Sequence, residues 1–110
     1  MIDAIDPVTV FKALADDTRL KILRLLVDNE LCACSILEEF RFTQPTLSYH
    51  MKLLVGSGLV HASRDGAWVR YSLDKEHFTE LSGYLAGFCD GPAPGSDSEI
   101  LTVSASRRGA

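Results

Sequence analysis

Residues 43–54 read Thr43-Gln44-Pro45-Thr46-Leu47-Ser48-Tyr49-His50-Met51-Lys52-Leu53-Leu54, and after Val55 the chain continues Gly56-Ser57-Gly58-Leu59-Val60-His61-Ala62-Ser63-Arg64-Asp65-Gly66-Ala67-Trp68-Val69-Arg70-Tyr71-Ser72-Leu73. The first half is a helix: Thr43 is an N-cap residue type, Pro45 suits a first turn, and Leu47, Met51 and Leu54 recur on one face. Glycines at 56 and 58 end it. The apolar period then drops to that of strands, and Asp65-Gly66 joins two short alternating runs, 59–64 and 67–73. Asp-Gly is a strong hairpin signal because both turn positions tolerate positive φ.

Upstream, Pro7 and the apolar Val10, Phe11 and Leu14 predict a helix over 6–15. Asp16, Asp17 and Thr18 supply a break and a cap. Leu20, Leu23, Leu26 and Val27 predict a second helix, stopped by Asp28-Asn29. Residues 30–40 read as a short lead-in and a short third helix. Downstream, Phe78, Leu81, Leu85 and Phe88, with Tyr84 beside them, predict a last helix over 75–88. The fold class is therefore mainly α with a β-hairpin, a winged helix-turn-helix in the order α-α-α-α-β-β-α. Residues 1–89 form this domain. The Gly-, Pro- and Ser-containing stretch 90–110 reads as a disordered tail, with Ile100, Leu101 and Val103 as weak docking points.

At 110 residues the chain has room for one modest core. No apolar run is long enough to span a membrane, and the amino terminus lacks the pattern of a secretory signal. Three cysteines, Cys32, Cys34 and Cys89, make a poor disulfide framework and point to a reducing, cytoplasmic setting. The net charge of −4 argues against a generic nucleic-acid binder, but it hides an asymmetry. Residues 41–75 carry Arg41, Lys52, Arg64, Arg70 and Lys75 against Asp65 and Asp74, a local +3, so the remainder carries −7.

On the 44–55 helix, Gln44, Ser48 and Lys52 fall opposite the apolar stripe, with Thr46 and Tyr49 on the exposed leading turns. Gln can bond adenine at two points, Ser and Thr most base edges or phosphates, and Lys guanine or phosphate. An ordinary solvated helix face has the same residue types. The position, between a scaffold helix and a hairpin, favours double-stranded DNA, with Thr43, Gln44, Thr46, Ser48, Tyr49 and Lys52 as contacts. Arg64 and Arg70 flank the hairpin tip and suit backbone phosphates. His50 lies beside the apolar stripe and reads as a packed, hydrogen-bonded core histidine. Trp68 reads as packing of the wing on the body.

Three segments resemble the ArsR/SmtB family of bacterial metal-sensing repressors, over about residues 8–88. They are Ala13-Leu14-Ala15-Asp16-Asp17-Thr18-Arg19-Leu20-Lys21-Ile22-Leu23, the Gln44–Leu54 helix, and Gly58-Leu59-Val60 with Arg64–Leu73. The resemblance implies a homodimer that binds a roughly two-fold operator and represses until an inducer arrives. The stripe Phe78, Leu81, Tyr84, Leu85 and Phe88 is a candidate dimer surface, with an intramolecular core as its equal alternative.

Glu30-Leu31-Cys32-Ala33-Cys34-Ser35-Ile36 resembles the Glu-Leu-Cys-Val-Cys-Asp-Leu-Cys motif of arsenic-sensing members. Thiolates select soft ions, which suits As(III) or Sb(III) as inducer, with no obligatory cofactor. On a regular helix, residues two apart point about 200° away from each other. Cys32 and Cys34 therefore meet at one ion only through an unwound lead-in or an unwound first turn. The third cysteine of the motif is Leu37 here, leaving Cys89, water or a small thiol to complete a three-coordinate site. The family's zinc site on the last helix lacks partners for Asp74 and His77. A thiol-redox, persulfide, cadmium or lead sensor on the same fold is the alternative function. A thiol enzyme is disfavoured by the Cys-x-Cys spacing and by the lack of a phosphate loop. A winged helix that binds only proteins would show no salt-dependent operator binding.

Overall fold

A computed structural model of the chain describes residues 5–91. The helices are α1 Pro7–Leu14, α2 Asp17–Leu25, α3 Ala33–Leu37, α4 Gln44–Gly56 and α5 Lys75–Ala86. The strands are β1 Leu31–Cys32, β2 Val60–Asp65 and β3 Trp68–Leu73, and a 3₁₀ turn, Gly87–Cys89, follows α5. The expected winged helix-turn-helix is present. The segment expected as a tail lies, past Gly91, outside the described residues.

Local chemistry sets the helix boundaries. Pro7 sits in the first turn of α1, where a missing N–H costs nothing. The Asp16 carboxylate caps α2 by accepting from the Arg19 amide at 3.0 Å, and that bond holds its pKa below the usual carboxylate value. Asp74 caps α5 in the same way, accepting from the His77 amide at 2.9 Å. Gly58 has φ +88°, and a Cβ there would lie 2.5 Å from Nε2 of His77. Only glycine can turn the chain from α4 into β2 so close to α5.

Three sequence expectations change. The sheet has three strands in the order β1-β3-β2, because the lead-in to α3 is extended and pairs antiparallel with β3, Leu31 opposite Tyr71 and Cys32 opposite Arg70. Residues 75–88 are not one helix: α-helix gives way to a 3₁₀ turn at Gly87, a residue of low helix propensity. In α2 the buried apolar side chains are Ile22 and Leu23, joined by Leu26, whereas Leu20 and Val27 are exposed, as is Phe11 on α1. The helix presents a slightly rotated face, with Arg19 at its buried end.

The core gathers Val10, Ile22, Leu23, Leu26, Ile36, Leu47, Met51, Leu54, Leu59, Val60 and Leu81 from every helix and the base of the wing. Leu47, Met51 and Leu54 point inward as expected, which leaves the opposite side of α4 to solvent.

Candidate functional site

Arg19 anchors α4. It is buried, and its guanidinium donates through Nε to the carbonyl of Ala13 at 2.7 Å and through Nη2 to that of Lys12 at 3.2 Å. Its Nη1 lies 3.2 Å from Nδ1 of His50, itself buried on α4. His50 is thus the packed, hydrogen-bonded histidine expected. Arg19 was not singled out, since a cation in a helical repeat reads as solvated. Its one legible signal is a place beside the buried stripe of α2.

The opposite side of α4 is free. Gln44, Thr46, Ser48, Tyr49 and Lys52 are all exposed, and Gln44 donates to the Ser48 hydroxyl at 3.4 Å. Thr43 occupies the cap position, but its side chain does not cap. Its hydroxyl pairs with that of Thr46 at 3.3 Å. The face carries one cation and no acid.

In the wing, antiparallel partners share a face. Ser63 is opposite Arg70 and Asp65 is opposite Trp68, so Arg70 and Trp68 lie on one side, with Arg64 and Val69 on the other. Trp68 is 59% exposed. Packing of the wing on the body, as expected for it, is not what most of its surface does: the larger part faces solvent. Asp74 holds His61 as well as capping α5, with His61 Nε2 2.9 Å from Asp74 Oδ2. That use of Asp74 escaped the sequence reading.

Both thiols lie at the start of α3. Cys32 is extended (φ −78°, ψ 158°) and is the cap residue of α3, its sulfur accepting from the Ser35 amide at 3.3 Å. The Ser35 hydroxyl lies 3.3 Å from the same sulfur. Hydrogen bonding from the Cys34 thiol, then from the Ser35 hydroxyl and amide, brings the Cys32 pKa down to about 7, and the same contact pushes that of Cys34 up. Cys32 stands in the extended lead-in and Cys34 in the first turn of α3, so the two are not both in regular helix. Both thiols are free; Cys32 is partly exposed and Cys34 exposed, so solutes reach them. Two soft, adjacent donors, one of them ionised near neutrality, fit a thiophilic metalloid. Ser35 was missed; its signal is its place three residues after a capping side chain.

Cys89 is not brought to this pair. It lies beyond α5, and among the described residues no group of three or more His, Cys, Asp or Glu side chains gathers. Among the described residues of one chain it does not join the pair. Of the apolar stripe on α5, Leu81 belongs to the core and Phe78 packs against it. Tyr84, Leu85 and Phe88 remain exposed, with Phe11 of α1 6.1 Å from Tyr84, ring centre to ring centre.

A family model described as bacterial regulatory protein, arsR family, matches residues 16–62, from the cap of α2 into β2. The arsenical resistance operon repressor of Staphylococcus xylosus is 52% identical over 77 residues, which cover 70% of this chain and 74% of that protein. The chain belongs to the ArsR family. It is a transcriptional regulator, not an enzyme. A cadmium resistance transcriptional regulatory protein CadC homolog of Staphylococcus aureus is 42% identical over 77 residues, 69% of this chain and 64% of that one. The crystal structure of an ArsR family transcriptional regulator superposes with a TM-score of 0.68 at 28% identity, covering 72% of this chain and 87% of the other. HlyU from Vibrio cholerae superposes at 0.61 with 30% identity, covering 76% and 92%. Among the described residues of this ArsR-family chain, no helix is long and apolar enough to cross a membrane.

Proposed function

We propose that this ArsR-family regulator is a homodimeric repressor that leaves its operator when As(III) or Sb(III) binds the thiolates of Cys32 and Cys34. The carrying observation is that Cys32 is at once a free thiol, the cap of α3 and the residue opposite Arg70 in the sheet. A metalloid that takes its sulfur competes with the Ser35 amide for it and strains two neighbours: α3, which leads into α4, and β3, which carries the wing.

Operator contact falls to the exposed side of α4, with Gln44, Thr46 and Ser48 at base edges and Thr43, Tyr49 and Lys52 at base edges or phosphates. Arg64 and Arg70 engage the backbone. Two copies joined through Tyr84, Leu85 and Phe88 place two such helices on a two-fold site. The names of the relatives, arsenical resistance operon repressors among them, support a metalloid inducer.

The test is operator release, using a duplex selected from a random pool by the purified protein. Arsenite and antimonite should dissociate the complex, and Cys32→Ser or Cys34→Ser should abolish release while leaving operator binding intact. Release by arsenite that persists in both variants removes the thiol pair from the mechanism. Release by cadmium or a persulfide donor alone moves the inducer class.

A further inference from the structure

The outer side of α2 carries apolar surface that the core does not use. Leu20 is 48% and Val27 45% exposed. With Arg24 they are spaced four and three apart, so they share one helix face. Together with Leu14 of α1, Leu73 of β3 and Phe78 of α5 they line a groove of about 340 Å³. Arg24 also borders a second hollow of about 280 Å³, to which Lys21 and Phe40 contribute. Both cations are exposed, and among the described residues neither stands in an ion pair. Contiguous apolar surface edged by charge marks a docking site, and its cations select a segment that carries acids beside aliphatic side chains.

Past Gly91 the chain has such a segment. Residues 97–103 read Asp97-Ser98-Glu99-Ile100-Leu101-Thr102-Val103, and they hold every acid and every Ile, Leu or Val between 92 and 110. The length suffices. Phe78 precedes the end of α5 at Ala86 by eight residues, about 12 Å along the axis, and the 3₁₀ turn adds about 6 Å. The chain bends at Gly91, with φ +113°, so it does not prolong the helix. From Gly91 to Ile100 is nine residues, about 30 Å at full extension, which covers the way back along α5 with slack.

We propose that residues 97–103 fold back on their own chain and dock in this groove, with Ile100, Leu101 and Val103 against Leu20, Val27 and Phe78, and Asp97 and Glu99 beside Lys21 and Arg24. The docked segment covers the apolar face of α2 and neutralises its two cations. The exposed stripe of a second copy is a poorer occupant, because residues 84–88 contain no acid to meet those cations. The docking is independent of the inducer.

The experiment uses the full chain, kept reduced. A carbodiimide joins an amine to a carboxylate only where the two touch, so peptide mass spectrometry should find Lys21 linked to Asp97 or Glu99. In a co-refolded mixture of light- and heavy-isotope chains those links should stay within one isotope. Amide exchange over residues 98–103 should be about tenfold slower than in a synthetic peptide of that sequence, as for a segment docked about nine-tenths of the time. Leu20→Ser/Arg24→Glu should abolish the protection with circular dichroism unchanged, since both side chains are exposed. Ile100→Ser/Leu101→Ser, which leaves the core untouched, should abolish the Lys21 links. Asp97→Lys/Glu99→Lys should lose protection and regain it when combined with Lys21→Glu/Arg24→Glu. Exchange at the rate of the synthetic peptide, or protection that survives the groove and segment variants, overturns the docking. Links that join light to heavy chains overturn its assignment to the same chain.

Discussion

Nη1 of Arg19 faces Nδ1 of His50 across 3.2 Å of buried space. A guanidinium only donates, so in this hydrogen bond the imidazole accepts at Nδ1. The Asp16 carboxylate, 3.9 Å from the same nitrogen, balances the arginine. One side chain thereby ties the end of α1 to the middle of α4. Arg19→Met removes the arginine's donors to the Ala13 and Lys12 carbonyls and the His50 nitrogen, leaving Lys12 only the Ala15 amide, an expected loss of about 2–4 kcal/mol in chemical denaturation. His50→Asn, whose amide oxygen can stand near Nδ1, should retain more stability than His50→Leu. Equal losses would remove the hydrogen bond from the explanation.

Operator affinity should separate contacts that read sequence from contacts that only hold the duplex. Lys52→Ala, Arg64→Ala and Arg70→Ala should each lower affinity for all duplexes and reduce the slope of log affinity against log salt by about 1. Gln44→Ala should instead reduce discrimination at one base position, by about 1–3 kcal/mol. Titration by fluorescence anisotropy at several salt concentrations checks both.

Trp68 is the chain's single tryptophan and stands exposed at the wing tip, so its emission reports on the wing alone. Operator binding should change that emission and shield it from acrylamide. Trp68→Ala should leave stability within about 0.5 kcal/mol of the parent, as for other exposed positions. Emission indifferent to bound operator would place the tip away from the duplex.

The α5 stripe divides by burial, and mutation should divide it the same way. Leu85→Glu or Phe88→Glu should yield a folded monomer in sedimentation and circular dichroism. Leu81→Ala should cost about 2–5 kcal/mol of stability, because it empties part of the core. Dimers that survive both charged variants would locate the subunit contact elsewhere.

Cys32, with its pKa near 7, should react with iodoacetamide at a rate that climbs as pH rises through 7 and then levels, since only the thiolate attacks. Cys34 is pushed the opposite way and should respond only at higher pH. Cys34→Ala, which removes that donor, should move the Cys32 profile to higher pH, because the Cys34 thiol contributes most to stabilising the thiolate. Peptide mass spectrometry after timed quenching distinguishes the two sites. An unmoved Cys32 profile would assign the effect to Ser35.

The helices and the hairpin were legible because each repeats its pattern over several turns or rungs and ends in residues with a definite backbone preference. Gln44, Ser48 and Lys52 lie where that periodicity puts them. The two-residue β1 has no period to detect, and its pairing with β3 depends on residues about forty positions away. Trp68 misled because a large aromatic side chain is usually covered, whereas here it is mostly exposed. That Cys32 stands outside the helix while Cys34 stands in it depends on one extended backbone angle at the cap, below the reach of composition or spacing.

The brevity of β1 has a kinetic side. A strand of two residues is held by very few rungs, so its detachment from the wing is among the cheapest openings available to the domain and recurs often while the core stays shut. A ligand that grips Cys32 rectifies a fluctuation already under way. On the proposed reading the tempo of response is the breathing rate of that strand, and amide exchange in β1 is the clock on which to read it.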